Sequence, residues 1–178
     1  MKRWTFLAVI GLSAASSFAA DNKSWWGASV GAFFPNSGEM RDMFGSAFVR
    51  FGIGPFEKRI SERWRSTFDF AILGANKDGN RIFALPLTFG VTRSFGNPNS
   101  RSIPFVQVCA GPAFFDYDLG RGSERFKTSR VGGNANVELG ILFDRRFAIT
   151  LRGDFYTKTD DFDFSGTSIT FAYAAFRW

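Results

Sequence analysis

Hydrophobic and polar residues alternate along most of this chain with a period of two, the repeat of strands that have one apolar and one polar or small face. The alternation is cleanest over residues 131–144. There Val131, Ala135, Val137, Leu139, Ile141 and Phe143 share one side, and Asn134, Asn136 and Glu138 the other. In the next segment Phe147, Ile149, Leu151 and Phe155 stand opposite Thr150, Arg152 and Asp154. Over residues 81–95, Phe83, Leu85, Leu87, Phe89 and Val91 alternate with Ala84, Pro86, Thr88, Gly90 and Thr92. Noisier versions occupy 25–34, 46–56, 63–76, 103–119 and 166–178. Eight strands are predicted. Pro104 and Pro112 each remove a ladder donor from the fifth, so one or both is expected to mark a bulge.

At about 10 to 16 residues these segments exceed the usual strand of about five or six. A tilted strand crossing a bilayer needs about 9–11. The connections divide into outward ones at 35–45, 77–80, 120–128 and 159–165 and inward ones at 57–62, 96–100 and 144–145. Three of the four outward connections are long, as expected of outer loops, and the one at 77–80 is a tight turn.

The choice of which face points inward follows from volume. The chain has 24 Phe and 5 Trp, and an eight-stranded barrel is only wide enough inside for side chains to fill it. The bulky face is therefore expected to face outward, solvated by lipid, while closure satisfies the backbone. Trp25, Trp26, Trp64, Phe95, Phe143, Phe147, Tyr156, Phe176 and Trp178 fall near strand ends, where an aromatic girdle would sit. Plain strand propensity of aromatics is the competing explanation. A mean hydropathy of −0.07 is the average of two unlike faces.

Residues 1–20 have a different pattern: a basic start at Lys2 and Arg3, an apolar stretch over 6–12, and small residues before the polar Asp21. This is the pattern of a secretory signal peptide cut after Ala20, leaving one barrel domain over 21–178. Without Lys2 and Arg3 the formal charge of +6 falls to +4. The charges are scattered, with no basic run, so nucleic acid is not an expected partner. The chain has no His, which removes Ser-His-Asp and Cys-His catalysis and His-ligated metals. The lone Cys109 permits neither an internal disulfide nor a Cys-rich zinc site, and reads as a small apolar filler. No cofactor or metal is expected.

On this strand assignment Arg50, Arg65, Asp69, Glu138, Arg152 and Asp154 point into the lumen. Lone charges there are costly, so a salt-bridge network filling the barrel is expected, with an ion pathway as its rival. Asp116 and Asp118 alternate onto one face as a carboxylate pair or a solvated rim. The acidic groups 160–163 and Glu39 with Asp42 read as loop tips or weak cation bridges. Met40, Met43, Phe44, Phe162 and Phe164 are odd for solvated loops and suit either a partner or the barrel rim. Arg121, Arg125, Lys127 and Arg130 form a basic group suited to phosphate headgroups, or are ordinary surface charge.

The whole of 21–178 resembles the small eight-stranded outer-membrane β-barrel family typified by the OmpA barrel domain and OmpX. The most specific element is the final strand ending Phe176-Arg177-Trp178, with Trp where the family usually ends in Phe. The resemblance implies an all-β, antiparallel, up-and-down transmembrane barrel in a Gram-negative-type cell envelope. It implies contact with outer-membrane lipid and lipopolysaccharide, and recognition of Phe176 and Trp178 by the barrel-assembly machinery. Enzymes of this type rely on an active-site His, which this chain lacks. The expected role is thus that of a non-enzymatic, OmpA-like or OmpX-like monomer with a structural or surface-interaction function. A narrow, porin-like ion or small-solute channel is the alternative.

Overall fold

The computed structural model describes residues 25–97 and 100–177, and at 25, 26, 55 and 174–177 the backbone only. The alternating segments form β1 (Trp25–Pro35), β2 (Phe48–Arg59), β3 (Trp64–Lys77), β4 (Asn80–Ser94), β5 (Ser102–Arg121), β6 (Glu124–Phe143), β7 (Phe147–Tyr156) and β8 (Gly166–Arg177). Each is antiparallel to its neighbours, and β8 pairs back onto β1, so the sheet closes into an eight-stranded barrel. Within the closed part of the sheet each strand is paired on both sides. A short helix, α1 (Gly38–Phe44), is capped by the Ser37 side chain and lies between β1 and β2.

Side chains alternate in and out as the period requires. Val30, Phe51, Phe89, Val108, Leu139, Leu151 and Ile169 stand on the exterior in a band that circles the barrel. Phe68 belongs to this outer face yet is buried, because it is stacked between Phe56 and Phe89 at centroid distances of 5.7 and 4.6 Å.

The fifth strand differs from expectation. Pro104 and Pro112 sit in an unbroken register with β6, opposite Ile141 and Gly133, and no bulge forms. Pro112 instead interrupts the β4–β5 ladder locally: pairing lapses between Pro86↔Ala113 and Phe89↔Ala110 and resumes in the same register. Register shifts occur between β1 and β8, at Trp26 and Gly27, where β8 carries the extra residue, and in β2, between Ile53 and Phe56. At the second of these Gly54 has φ +132°, a conformation open to glycine. The extra residue reverses the alternation, so that Phe56 faces out and Glu57 in.

The expected outer loop at 120–128 is also strand. β5 and β6 are 20 residues each and meet at a two-residue turn, 122–123. β7 pairs with β6 only as far as Asn134, so the β5–β6 hairpin stands above it as a free wall. Its neighbour, the β3–β4 hairpin, turns at Asp78-Gly79 with φ of 50° and 78°, the left-handed pair that tight hairpins favour. The long connections on this loop end are therefore 36–47, which holds α1, and 157–165. Both lean against the wall.

Candidate functional site

The lumen is filled in two layers. Midway along it, Arg50 from β2 and Asp69 from β3 face Arg152 and Asp154 from β7. Arg50 Nη1 donates to Asp154 Oδ2 at 2.9 Å and its Nη2 lies 3.7 Å from Asp69 Oδ2. Arg152 Nε donates to Asp154 Oδ1 at 3.1 Å, and its Nη1 donates to Asp69 and reaches Glu138 Oε2 at 3.4 Å. Each arginine thus touches both aspartates, and the bonds cross the barrel from β2 and β3 to β7. Arg50, Asp69, Arg152 and Asp154 are all buried. Hydrogen-bonded side chains continue the layer: Asn134 Nδ2 to Asp154, Asn136 Nδ2 to Thr88, and a Thr67–Thr92–Gln107 chain.

Five of the six charges read from sequence as lumenal meet in this cluster. Arg65 stands apart, toward the terminal end, where its Nη1 donates to Glu57 Oε2 at 3.1 Å. Glu57 was not legible as an inward residue because only the β2 bulge turns it in. Between the cluster and the terminal end lies a cavity of about 70 Å³ lined by Glu57, Arg65, Phe105, Glu138 and Arg146 among others.

Above the cluster the lumen is apolar. Phe33, Leu73, Ile82, Phe115, Tyr117 and Leu119 point inward, and α1 adds Met40 and Phe44. Loop 157–165 inserts Phe162 and Phe164, both buried. Phe164 stacks on Phe115 at 5.0 Å and Phe162 meets Tyr117 and Phe126 edge-on at 6.0 and 5.4 Å. The odd loop hydrophobics therefore pack into the barrel mouth as a plug. Polar bonds hold the plug at its rim. Arg121 grips Glu39 through Nε and Nη2 at 2.6 and 2.8 Å, and its guanidinium lies over the Phe162 ring at 4.4 Å. The Tyr117 hydroxyl donates to Asp160 at 2.6 Å, and Arg130 reaches the same carboxylate at 3.4 Å.

Tyr156 corrects one assignment to the aromatic girdle. It shares its parity with Arg152 and Asp154, points into the lumen at 7% exposure, and packs edge-on against Phe115 at 5.5 Å. Trp64, Phe95 and Phe147 do lie on the exterior at the terminal rim, each about 40% exposed (41%, 42% and 40%). Phe143 joins them at the β6–β7 turn. The backbones of Trp25, Trp26 and Phe176 pair at this same rim, while Trp178 and the signal segment 1–20 lie outside the described residues.

The basic group of the third outer connection is split by parity. Arg121 and Arg130 face the plug. Arg125 and Lys127 face outward and pair with Asp118 at 2.6 and 3.9 Å. Asp116 likewise pairs with Arg81 at 3.3 Å, so Asp116 and Asp118 serve ion pairs on the outer wall. Among the described residues no three Asp, Glu or Cys side chains are grouped to hold a metal. Cys109 is buried on the lumen wall.

Known structures share this fold. The neisserial surface protein A superimposes with a TM-score of 0.59 at 11% identity, over 85% of this chain and 96% of that one. The outer-membrane enzyme PagL gives 0.54 at 11%, over 84% and 99%. Ail, the attachment invasion locus protein of Yersinia pestis, gives 0.54 at 12%, over 89% and 99%. Neither a family model nor a curated protein sequence matches the chain. The chain is thus an eight-stranded barrel of the small outer-membrane type in fold, with little sequence in common with the structures it superimposes on.

Proposed function

We propose that this protein is a monomeric outer-membrane barrel with a structural or surface-interaction role and a lumen that does not conduct. One observation carries the reading: the apolar side chains that could fill a soluble core, such as Phe51, Phe89, Leu139, Leu151 and Phe171, are exposed in a belt around a closed barrel. In water such a belt would be a large apolar patch; in a bilayer it is solvated. Lipid and lipopolysaccharide would surround the belt, and the assembly machinery would read the last strand. Cleavage after Ala20 would release residues 21–178, and the mass of the exported chain tests that. The first strand starts at Trp25 and the last ends at Arg177 on the rim of Trp64 and Phe95, which is then the periplasmic one, and the plugged end faces outward.

Two blocks in series support a closed lumen, the ion cluster in the middle and the aromatic plug above it. PagL shows that this fold is compatible with catalysis. The non-enzymatic reading rests on the absence of His from the whole sequence and the burial of Cys109. Planar-bilayer recording tests the closed lumen: the expected trace has no steady open level, and sustained large openings would establish the channel instead. Migration on a gel before and after boiling tests the barrel in detergent, since a closed barrel runs faster until it is heated.

A further inference from the structure

The two rims differ in charge. At the plugged end, residues 36–47, 76–81, 116–130 and 157–165 contain eight Arg and Lys against nine Asp and Glu. Arg81, Arg121, Arg125, Lys127 and Arg130 are each in an ion pair there. At the other rim, residues 58–63, 93–102 and 144–146 contain seven Arg and Lys against only Glu62 and Asp144. Lys58, Arg63, Arg93, Arg101 and Arg146 are exposed, and among the described residues none of them is in an ion pair. The net positive charge of the barrel is therefore concentrated at the end where β1 starts and β8 finishes.

These cations stand level with the aromatic belt. Arg93 lies over the rings of both Trp64 and Phe95, 5.3 Å from each centroid, with Trp64 at the first position of β3 and Phe95 just past β4. Lys58 and Arg93 leave their strands on the outward-facing side, and the others come from the three short turns between strands. The turns and strand ends lie on the barrel wall, so the cations are spread around the rim, Arg146 also bordering the lumenal cavity, at the level where a bilayer would place lipid phosphates beside interfacial aromatics. A perimeter ring bounded by exposed rings fits a lipid surface; a soluble polyanion would be expected to find its cations gathered over the mouth.

We propose that this rim is a binding surface for anionic phospholipid headgroups of the periplasmic leaflet, phosphatidylglycerol in chemistry. Headgroup contact thereby moves from the outer group Arg121, Arg125, Lys127 and Arg130, each already in an ion pair, to the opposite end. The inference rests on the membrane reading above. Its consequence is mechanical: lipid phosphates fix the depth and tilt of the barrel from the inner side.

Tryptophan fluorescence reports on this rim selectively, because Trp25, Trp26 and Trp64 start strands there and with Trp178 are the only tryptophans after residue 20. The protein is folded into phosphatidylcholine vesicles containing either dibrominated phosphatidylglycerol or dibrominated phosphatidylcholine, and quenching is compared. The charged lipid should quench at a mole fraction about five-fold lower. The preference should shrink in about 0.5 M NaCl, where the screening length falls to a few ångströms. K58Q/R63Q/R93Q/R101Q/R146Q should abolish the preference and R125Q/K127Q should leave it unchanged. Should the five-fold variant not fold, R101Q/R146Q, confined to connections, should reduce the preference by itself. Equal quenching of the wild type by both lipids, or a preference that only R125Q/K127Q removes, would overturn the proposal. So would a preference erased by soluble polyglutamate, which would identify an acidic polymer as the partner. Absence of quenching by either lipid would instead show that the barrel is not in the bilayer, and the membrane reading would fall.

Discussion

The middle and the outer end of the lumen meet the same requirement, filling a narrow barrel, by opposite means. The middle uses Arg50, Asp69, Arg152 and Asp154, whose mutual attraction mainly offsets the cost of taking four charges out of water. The outer end uses Phe115, Tyr117, Phe162 and Phe164, which gain directly from leaving water. The difference lies also in who contributes. Every charge of the central cluster is on a strand, fixed by the ladder. Part of the plug, Met40, Phe44, Phe162 and Phe164, is carried by α1 and loop 157–165, which are tied down only by their own packing and a few rim bonds. The cluster is thus part of the wall and cannot open without unfolding the barrel. The plug can open while the barrel stays closed.

The largest effect should come from breaking the cluster. Arg152→Met removes a partner from Asp69, Glu138 and Asp154 at once and strands carboxylates in the lumen. The expected loss is about 3–5 kcal/mol, read as a lower urea midpoint for the whole barrel with all probes moving together. Separate transitions for the loop and the barrel would show that the cluster is not integral to the wall.

Phe162→Ala should do the reverse. It empties a fully buried ring position, worth on the order of 3 kcal/mol, but the loss falls on the loop. Protease cleavage within 157–165 should rise roughly a hundred-fold, in line with the larger open population. The barrel's migration before boiling should stay unchanged. A fall in the barrel's unfolding midpoint as large as that of Arg152→Met would erase the distinction between the two layers.

That distinction was only half legible in the sequence. The central charges could be read because they interrupt apolar strands at positions whose parity is fixed by long neighbours such as Val137, Leu139 and Ile141. The plug is harder to read because above the exposed apolar band the rule inverts. Asp116 and Asp118 face water on the outside, and Phe115, Tyr117 and Leu119 fill the inside, so a strand that looks untidy over its whole length is tidy in two halves. Tyr156 shares the inward parity of Arg152 and Asp154, and parity, not its place near a strand end, decides where it points. Glu57 was hidden by a bulge that depends on Gly54, and no alternation rule survives an inserted residue. Phe162 and Phe164 did announce themselves, as aromatics in an otherwise acidic loop. Where they would dock depended on the height of the β5–β6 wall, which two strands of unexpected length determine.

A smaller effect should follow from the rim bonds. Arg121 is held cationic to higher pH than usual, chiefly by its hydrogen bonds to Glu39, whose charge adds to the effect. The pair is partly exposed, so salt weakens it. Glu39→Gln should raise loop cleavage several-fold at low salt and much less in about 1 M NaCl, where screening has already removed most of the attraction. An effect independent of salt would mean that the hydrogen bonds and not the charges carry this contact, and no effect at all would mean that α1 is held by Met40 and Phe44 alone.

The smallest effect, and the most selective, concerns Tyr117. Its ring lies in the plug above the exposed apolar band, at the level where Asp116 and Asp118 face outward. Burial, then donation of its hydroxyl to Asp160, raises its pKa above the ordinary phenol value. A group whose pKa is raised by folding favours the folded form while protonated, so this contribution is complete below pH about 10, the value of a free phenol. It is lost as pH climbs through the folded value, because the phenolate would sit buried beside the Asp160 carboxylate. Loop cleavage of the wild type should therefore accelerate above pH about 10. Tyr117→Phe keeps the ring contacts with Phe162 and Phe164 but has no proton to lose. Its loop should be slightly more open at neutral pH, for want of the hydrogen bond, and should lack the alkaline rise. Were Tyr117→Phe to show the same rise, the alkaline sensitivity would belong to other groups, and the plug would depend on its aromatic packing alone.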